Sequence, residues 1–591
     1  MTKRIAIVRL EKCKAPKDCP YLCIRACPPV RAGKQTIIEN KETGKIIIEE
    51  ETCIGCGLCV KKCPFDAITI INLPEALAEP IHRFGKNSFA LYGRTLPFPE
   101  KGAVTGFLGP NGCGKTTVVS ILSGSLIPNL NSQEEGRLPA VIEHFAGQEI
   151  QKHFKVLEKG SLRAAVKPQQ ISVSGRIGET LVSEAAAKVP EETLREFNIR
   201  PLFGRKISEL SGGELQRLTI ALAYGKDADL YFFDEPSSFL DIRERIRTAK
   251  RLRNLAGTGK SVFLVEHDLT LLDTASDNVI LFYGEPSVYG VVSIPKTQRV
   301  GINTYLSGFS RDENIRFRPG EIKFSERAPV EKMSRKEAVQ EFSKIEKKLG
   351  EFSLFVEGGK IRKGEVVGVV GENGTGKTTF VRILAGEMKP DRGDVKKQLM
   401  KLSYKPQQLE VADRELAVRQ YLAVPIAEAS DLNFESEVAE PLSLRLLMQK
   451  KLGELSGGEL QRVVIAAAMM KKADLYLLDE PSAFLDVEQR LEVAKFIKRV
   501  NEKRGAGVLV VDHDVLFIDY LADSLVVFSG TPAVSAKAVG PLTMREGMNL
   551  FLSDLGVTFR RDPDTKRPRA NKEDSRLDRE QKGTGEYYFS G

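Results

Sequence analysis

The chain runs to 591 residues, 42% hydrophobic and 28% charged, with a net charge of +9. That is too long for one domain and too apolar for a disordered chain, so several packed domains are expected. No run approaches the roughly 18 apolar residues that span a bilayer, and the opening MTKRIAIVRLEKCK lacks the uninterrupted apolar stretch of a secretion signal, so a cytoplasmic protein with no membrane partner is expected.

The first predicted unit is a cysteine-rich domain. Eight of the nine cysteines fall within residues 13–63, the ninth being Cys113. Reduced cysteines clustered in this way point to metal rather than to disulfides. Cys53-x2-Cys56-x2-Cys59-x3-Cys63-Pro64 has the spacing of bacterial ferredoxins, in which the fourth thiolate of each run reaches across to the other cluster. The looser run Cys13, Cys19, Cys23, Cys27 precedes it. The crossover then pairs Cys27 with Cys53, Cys56 and Cys59, and Cys63 with Cys13, Cys19 and Cys23, giving two [4Fe-4S] sites. Two structural zinc sites are the alternative, although zinc usually shows paired C-x2-C knuckles. The clusters either shuttle electrons or staple a small domain that has little core of its own.

Next comes Gly109-Pro-Asn-Gly-Cys-Gly-Lys115-Thr116, after the strand-like stretch Ala103–Leu108 and before a helix-like run. This is the context of a phosphate-binding P-loop. Gly109, Asn111, Gly112 and Gly114 shape the cradle, Lys115 reaches the β/γ-phosphates, Thr116 holds Mg²⁺ and Thr117 follows it. A second copy, Gly371-Glu-Asn-Gly-Thr-Gly-Lys377-Thr378, supplies Gly371, Asn373, Gly374, Gly376, Lys377, Thr378 and Thr379. The apolar strands Leu230–Phe233 and Leu475–Leu478 end in Asp234-Glu235 and Asp479-Glu480. The first acid of each pair suits Mg²⁺, and the second suits an attacking water. Phe89 and Phe352, with Phe84 as a third candidate, could stack on adenine or simply pack in the core.

The octapeptide LSGGELQR stands at Leu210–Arg217 and again at Leu455–Arg462, between these motifs. It resembles the signature of ABC-type ATPases. The rest of that family's set follows in both halves: Gln169 and Gln407 look like Q-loops, Asp241 and Asp486 end D-loop-like stretches, and His267 and His513 look like switch histidines. In ABC ATPases the signature of one cassette caps the nucleotide on the other's P-loop. The resemblance therefore implies one site closed by Ser456 and Gly458, and a second closed by Ser211 and Gly213. It also implies that Glu235, Glu480, His267 and His513 are catalytic.

The repeat is not uniform. Lysine to Q-loop glutamine spans 54 residues in the first half (115 to 169) and 30 in the second (377 to 407), so about 24 extra residues precede Gln169. Helical apolar spacing on both sides of Gly147 predicts a helix–loop–helix over about 134–160. Beyond each cassette, Gly301-Ile-Asn-Thr-Tyr-Leu-Ser307 aligns with Gly547-Met-Asn-Leu-Phe-Leu-Ser553 at an offset of 246. Arginines follow each segment: Arg311, Arg316 and Arg318, then Arg560, Arg561, Arg567 and Arg569. These read as paired hinges whose arginines are either phosphate contacts or solvated linker charge. The polar stretch 571–591 is expected to be partly disordered, with Tyr587, Tyr588 and Phe589 able to dock.

An iron–sulfur domain, two tandem cassettes, a first-half insertion and arginine-rich hinges together resemble the ribosome-recycling ABC ATPases of the RNase L inhibitor family. The resemblance runs from Cys13 to about Lys572. It implies an α/β multidomain chain: a ferredoxin-like domain (1–75), a first cassette (76–294), hinge 1 (295–320), a second cassette (321–540), and hinge 2 with the tail (541–591). It further implies a monomer, with its two cassettes paired head to tail, that hydrolyses ATP with Mg²⁺. The implied partners are the small ribosomal subunit (rRNA and protein), a release-factor-like protein and initiation factors. The residues alone leave two alternatives, an ATPase coupled to electron transfer and the soluble ATPase of another ABC system.

Overall fold

The computed structural model describes residues 2–8, 12–40, 43–49, 52–74, 79–85, 88–132, 134–169, 176–318, 320–322, 324, 337–395, 401–407 and 413–588. The expected boundary at residues 75–76 and the docking of Phe589 lie outside these residues.

The N-terminal domain has two antiparallel strand pairs, Thr2–Val8 with Ile68–Pro74 and Ile37–Glu39 with Ile46–Ile48. Short helices at Leu22–Ala26, Pro28–Arg31 and Leu58–Lys62 lie between them in the chain. Its core is small, with Ala6, Val8, Ile37, Ile46, Ile48 and Ile68 closing around Cys23, Cys27 and Cys59.

Each cassette is built on a central parallel sheet. In the first, the strand order is Ala164–Lys167, Leu230–Asp234, Ser261–Val265, Val104–Leu108 and Asn278–Glu285. The second repeats it with Leu402–Lys405, Leu475–Asp479, Gly507–Val511, Val366–Val370 and Ser524–Thr531. Strands such as Val104–Leu108 and Val366–Val370 are buried throughout, as parallel strands covered by helices on both faces must be. This order sets the P-loop strand beside the strand that precedes the switch histidine, which in turn flanks the strand ending in Asp-Glu. All three motifs emerge at the C-terminal edge of one sheet, where open α/β folds bind ligands.

The cassettes share cores. Val487, Leu491 and Leu516 of the second pack into the first cassette's cluster, while Ile242 and Ile246 of the first pack into the second's. The extra segment before Gln169 forms two helices, Leu138–His144 and Ile150–Glu158. Phe145 stacks on Phe154 with centroids 5.6 Å apart, which fixes the pair.

The sheets run past the expected hinge boundaries. Lys296–Thr297 still pairs with Asn278–Val279, and the strand Ser535–Thr543 crosses residue 540. Each hinge then forms a helix, Gln298–Ser307 or Met544–Leu555, followed by a small hairpin. Gly301 and Gly547 let these helices lie against the sheet, since an added Cβ would come within 2.8 Å of Val279 and 2.7 Å of Leu525 respectively.

Two expectations need correction. The tail is ordered as far as Tyr588: Arg576–Thr584 is a helix capped by Ser575, and Tyr588 is buried in the second cassette's cluster. Apolar anchors on either side of a polar helix outweigh its composition. The hinge arginines are also not a uniform phosphate-facing set. Arg567 and Arg569 are buried against Asp273 and Asp562, Arg561 forks onto Asp519, and Arg318 pairs with Glu488; only Arg311 and Arg316 are exposed.

Candidate active site

A cavity of about 810 Å³ lies between the cassettes. Asn111, Gly112, Gly114, Lys115, Thr116, Thr117, Gln169, Asp234 and Glu235 line it from the first cassette, and Ser456 and Gly458 line it from the second. The P-loop of one half therefore faces the signature of the other. Lys115 Nζ donates to the carbonyls of Gly109 and Pro110 at 2.7 and 2.9 Å, turned inward along its own loop. Thr116 and Thr117 lie in the first turn of the helix Lys115–Ser123. Gly114, at φ 92°, is hemmed in by the Phe89 ring, 2.9 Å from a built Cβ. Phe352 stands in the same way at 3.0 Å from Gly376. Both rings brace the loop, and Phe89 also lines the cavity wall beside Phe84, which is 55% exposed.

The second P-loop is already seated against the first cassette. Asn373 N–H donates to Asp241 at 2.9 Å, and its side-chain amide donates to the Phe239 carbonyl at 3.1 Å. A Cβ on signature Gly213 would stand 3.8 Å from that amide. Arg243 pairs with Glu372 at 2.7 Å. The residues at the matching positions of the first site are Glu488 and Pro110, and Glu488 pairs instead with Arg318 of hinge 1. Lys377 Nζ donates to the carbonyls of Gly371 and Glu372, with Thr378 and Thr379 next on the helix Lys377–Leu384 and Gly374 at φ 76°.

The edge that carries the acid pairs is built alike in both halves, save that Ser238 donates to Glu235 where the second half has Ala483. Glu235 and Glu480 sit in the left-handed region at φ 46° and 49°, which side chains avoid unless their surroundings hold them there. Gln169 donates to Glu235 at 2.6 Å and Gln407 to Glu480 at 2.7 Å. His267 Nε2 lies 3.7 Å from Glu235, and His513 Nε2 lies 3.4 Å from Glu480. Burial, aided by Lys115 and Arg490, holds His267 well below the usual histidine range, so it is neutral at pH 7. Burial would raise Glu480, but His513 and Lys377 hold it below the usual carboxylate value.

Burial, reinforced by the neighbouring Glu235, pushes Asp234 up to about 6. Burial likewise brings Asp479 to about 6, opposed chiefly by the Thr378 hydroxyl. Neither oxygen of Asp479 has a hydrogen-bond partner within 3.5 Å. A buried carboxylate left open beside a P-loop threonine fits a hard divalent cation.

Ser211 and Ser456 cap the helices Gly212–Tyr224 and Gly457–Met470, in reciprocal capping boxes with Glu214 and Glu459. Each helix N-terminus is therefore ready to face an anion. The octapeptide's glutamine works in the other direction. Gln216 and Gln461 each donate at 2.7 Å to the backbone of their own cassette's Glu235 or Glu480.

The ABC transporter family pattern matches residues 99–238 and 358–483, and the 4Fe-4S binding domain pattern matches 46–69. The translation initiation factor RLI1 of Saccharomyces cerevisiae is 43% identical over 99% of this chain and 98% of its own. A structure of ribosome-bound archaeal Pelota and ABCE1 contains a chain 48% identical, with a TM-score of 0.93 over 100% of this chain and 99% of that one. The archaeal ribosome recycling factor aABCE1, solved with the ribosomal stalk protein aP1, is 48% identical with a TM-score of 0.80, covering 86% of this chain and 99% of its own. The chain belongs to the RNase L inhibitor (ABCE1) family.

As a member of this family it is an ATP-hydrolysing enzyme with an iron–sulfur domain. Cys27, Cys53, Cys56 and Cys59 line one small apolar cavity in that domain. Burial pushes Cys59 up to about 11, and Cys53, Cys56 and Cys27 act on it electrostatically. Burial pushes Cys23 up to about 12, and the thiols acting on it are Cys19, Cys63 and Cys13. Free thiols in such company stay protonated, whereas iron holds them as thiolates. An all-thiol donor set suits an iron–sulfur cluster.

Two functional pairs escaped the sequence reading. Lys167 and Lys405, the lysines of the two Lys-Pro-Gln stretches, are 1% exposed. They donate to the carbonyls of Asp234 and Asp479 at 2.8 and 2.6 Å, which fixes the acid turn. Glu266 and Asp512, which precede the switch histidines, accept from Ser237 and Ser482 and so lock the D-loop to the histidine loop. The recurrence of both lysines in matching tripeptides was the available signal.

Proposed function

We propose that this chain is an ATP-driven ribosome recycling factor. The whole-chain match to an archaeal ABCE1 on the ribosome, with a TM-score of 0.93 at 48% identity, carries this reading. The composite geometry supports the mechanism: each P-loop faces the opposite signature, so nucleotide bound at one half can be enclosed only when the cassettes approach. Thr116 with Asp234, and Thr378 with Asp479, hold Mg²⁺, which neutralises phosphate charge. Gln169 and Gln407 orient Glu235 and Glu480 to polarise the attacking water. Neutral His267 and its counterpart His513 contact the γ-phosphate, and Ser211 and Ser456 cap it from across the interface.

Closure moves the N-terminal domain, held rigid by two [4Fe-4S] clusters on Cys13, Cys19, Cys23, Cys63 and on Cys27, Cys53, Cys56, Cys59. That movement separates the ribosomal subunits, with a release-factor-like protein in place. The factor then stays on the small subunit, where initiation factors are the next partners. The test is sucrose-gradient sedimentation of ribosomes with the chain, a release-factor-like protein and a non-hydrolysable ATP analogue. Free large subunits, with this chain on the small subunit, are expected. Intact ribosomes with the chain at the top of the gradient would refute the reading.

A further inference from the structure

The hairpin of the second hinge pairs Phe559–Arg561 with Pro568–Ala570. Its two strands hold carboxylates from different cassettes. Arg561 forks onto Asp519 of the second cassette, with its two terminal nitrogens at 2.8 and 2.9 Å. Arg567 and Arg569 converge on Asp273 of the first, Arg569 at 3.1 Å. Asp273 and Asp519 occupy equivalent places, each six residues beyond a switch histidine, in the helices Leu269–Ala275 and Val515–Leu521. Asp268 and Asp514, immediately after those histidines, cap the same helices. A displacement of either histidine therefore carries its aspartate with it.

The hairpin is stiff. Asp562 at its turn accepts from Arg569 at 3.2 Å, and its N–H donates to the Arg567 carbonyl at 2.8 Å. Arg567 and Asp562 are fully buried, and the Asp273 side chain is 1% exposed. Forked arginine–carboxylate pairs fix direction as well as distance, and at this depth neither partner can leave the other without stranding a charge. We infer that this hairpin is a tie between the two switch-histidine helices, with Arg561, Arg567 and Arg569 as positioning residues that make each ATP site respond to the state of the other. The inference rests on the assignment of His267 and His513 as switch histidines.

The test measures coupling between sites in the full-length protein. Steady-state hydrolysis is compared with and without Glu235→Gln or Glu480→Gln, in the native, Asp273→Asn and Arg561→Lys backgrounds. In the native background, blocking one site should change turnover at the other by about fivefold or more. In Asp273→Asn or Arg561→Lys the same block should alter the open site by no more than about twofold, the scatter of independent sites. Binding of a fluorescent ATP analogue should be retained in both. Equal coupling in all three backgrounds, or none in the native chain, overturns the inference. Arg561, at 17% side-chain exposure, keeps its charge as lysine and decides the case if Asp273→Asn does not fold. His267→Ala tests the underlying assignment separately: full turnover there would remove the switch role and leave the tie a structural one.

Discussion

Asp479→Asn should make the nucleotide-free protein more stable while abolishing its hydrolysis at the second site. The carboxylate is fully buried, its oxygens lack hydrogen-bond partners, and burial moves its pKa from 3.8 to about 6. A carboxylate raised in the folded state is ionised there at a cost. That cost is absent below the unfolded pKa, grows as pH rises between the two values, and is complete above the folded one. The displacement is worth about 3 kcal/mol at pH 7.5 and about 1 kcal/mol at pH 4.5, at about 1.4 kcal/mol per tenfold change in ionisation. The neutral asparagine escapes this cost. For a domain of this size the variant's melting midpoint should then rise by roughly 6–12 °C at pH 7.5, and by about a third of that at pH 4.5. Scanning calorimetry at the two pH values, with and without Mg²⁺ and ATP, gives the answer. With Mg²⁺ and ATP the order should invert, because only the native carboxylate gains a cation. A variant less stable than the native chain at pH 7.5 without nucleotide would refute the argument.

Glu235→Ala or Glu480→Ala should stop hydrolysis at its own site and hold that site closed, seen as retained ATP after rapid filtration; undiminished total phosphate release in the double variant would rule out both acids. Cys53→Ser should lower bound iron by about half and impair subunit splitting while leaving ATP binding intact, and an unchanged iron content would break the assigned ligand set. Glu372→Lys should loosen the second site by about 1 kcal/mol, roughly fivefold in the closed-to-open ratio, since its partner Arg243 is only partly buried. Arg243→Glu in the same chain should restore closure, read by fluorescence transfer between labelled cassettes. The reverse exchange at Glu488 should not act on closure through the first P-loop, where Pro110 carries no charge.

The chemical motifs were legible because each is short and sits on a contiguous strand–loop–helix whose apolar pattern is local. Acid pair, signature and histidine recur at offsets of 245 or 246, and the P-loop at 262, in the same order, so two halves checked one another. The hinge arginines were not legible. Arg567 and Asp273 lie 294 positions apart, and nothing near Arg567 in the chain distinguishes a buried partner from an rRNA phosphate. The tail misled for a related reason: Thr558 and Asn571 bind Asp578 and Gln581 of its helix, partners that appear only once the hairpin folds. The difference between the ATP sites lay in single residues, Glu372 against Pro110 and Arg243 against Glu488. It acquired meaning only when the structure placed Arg243 against Glu372 across the cassette boundary.

Gly301 and Gly547 bear on ancestry. Each lets a hinge helix press on the equivalent strand of its own sheet, at Val279 and Leu525, and both pairs are 246 positions apart, as the switch histidines are. So close a contact is inherited as a pair or lost as a pair. The segment that was copied to make this chain therefore already contained a cassette together with its hinge, and the helix–loop–helix before Gln169 is a change to one copy alone. Hinge 2 now grips the first cassette through Arg567, and hinge 1 grips the second through Arg318. The two grips land on unmatched positions, Asp273 in the helix after the first switch histidine and Glu488 in the helix after the second D-loop, so each half is held by a contact of its own.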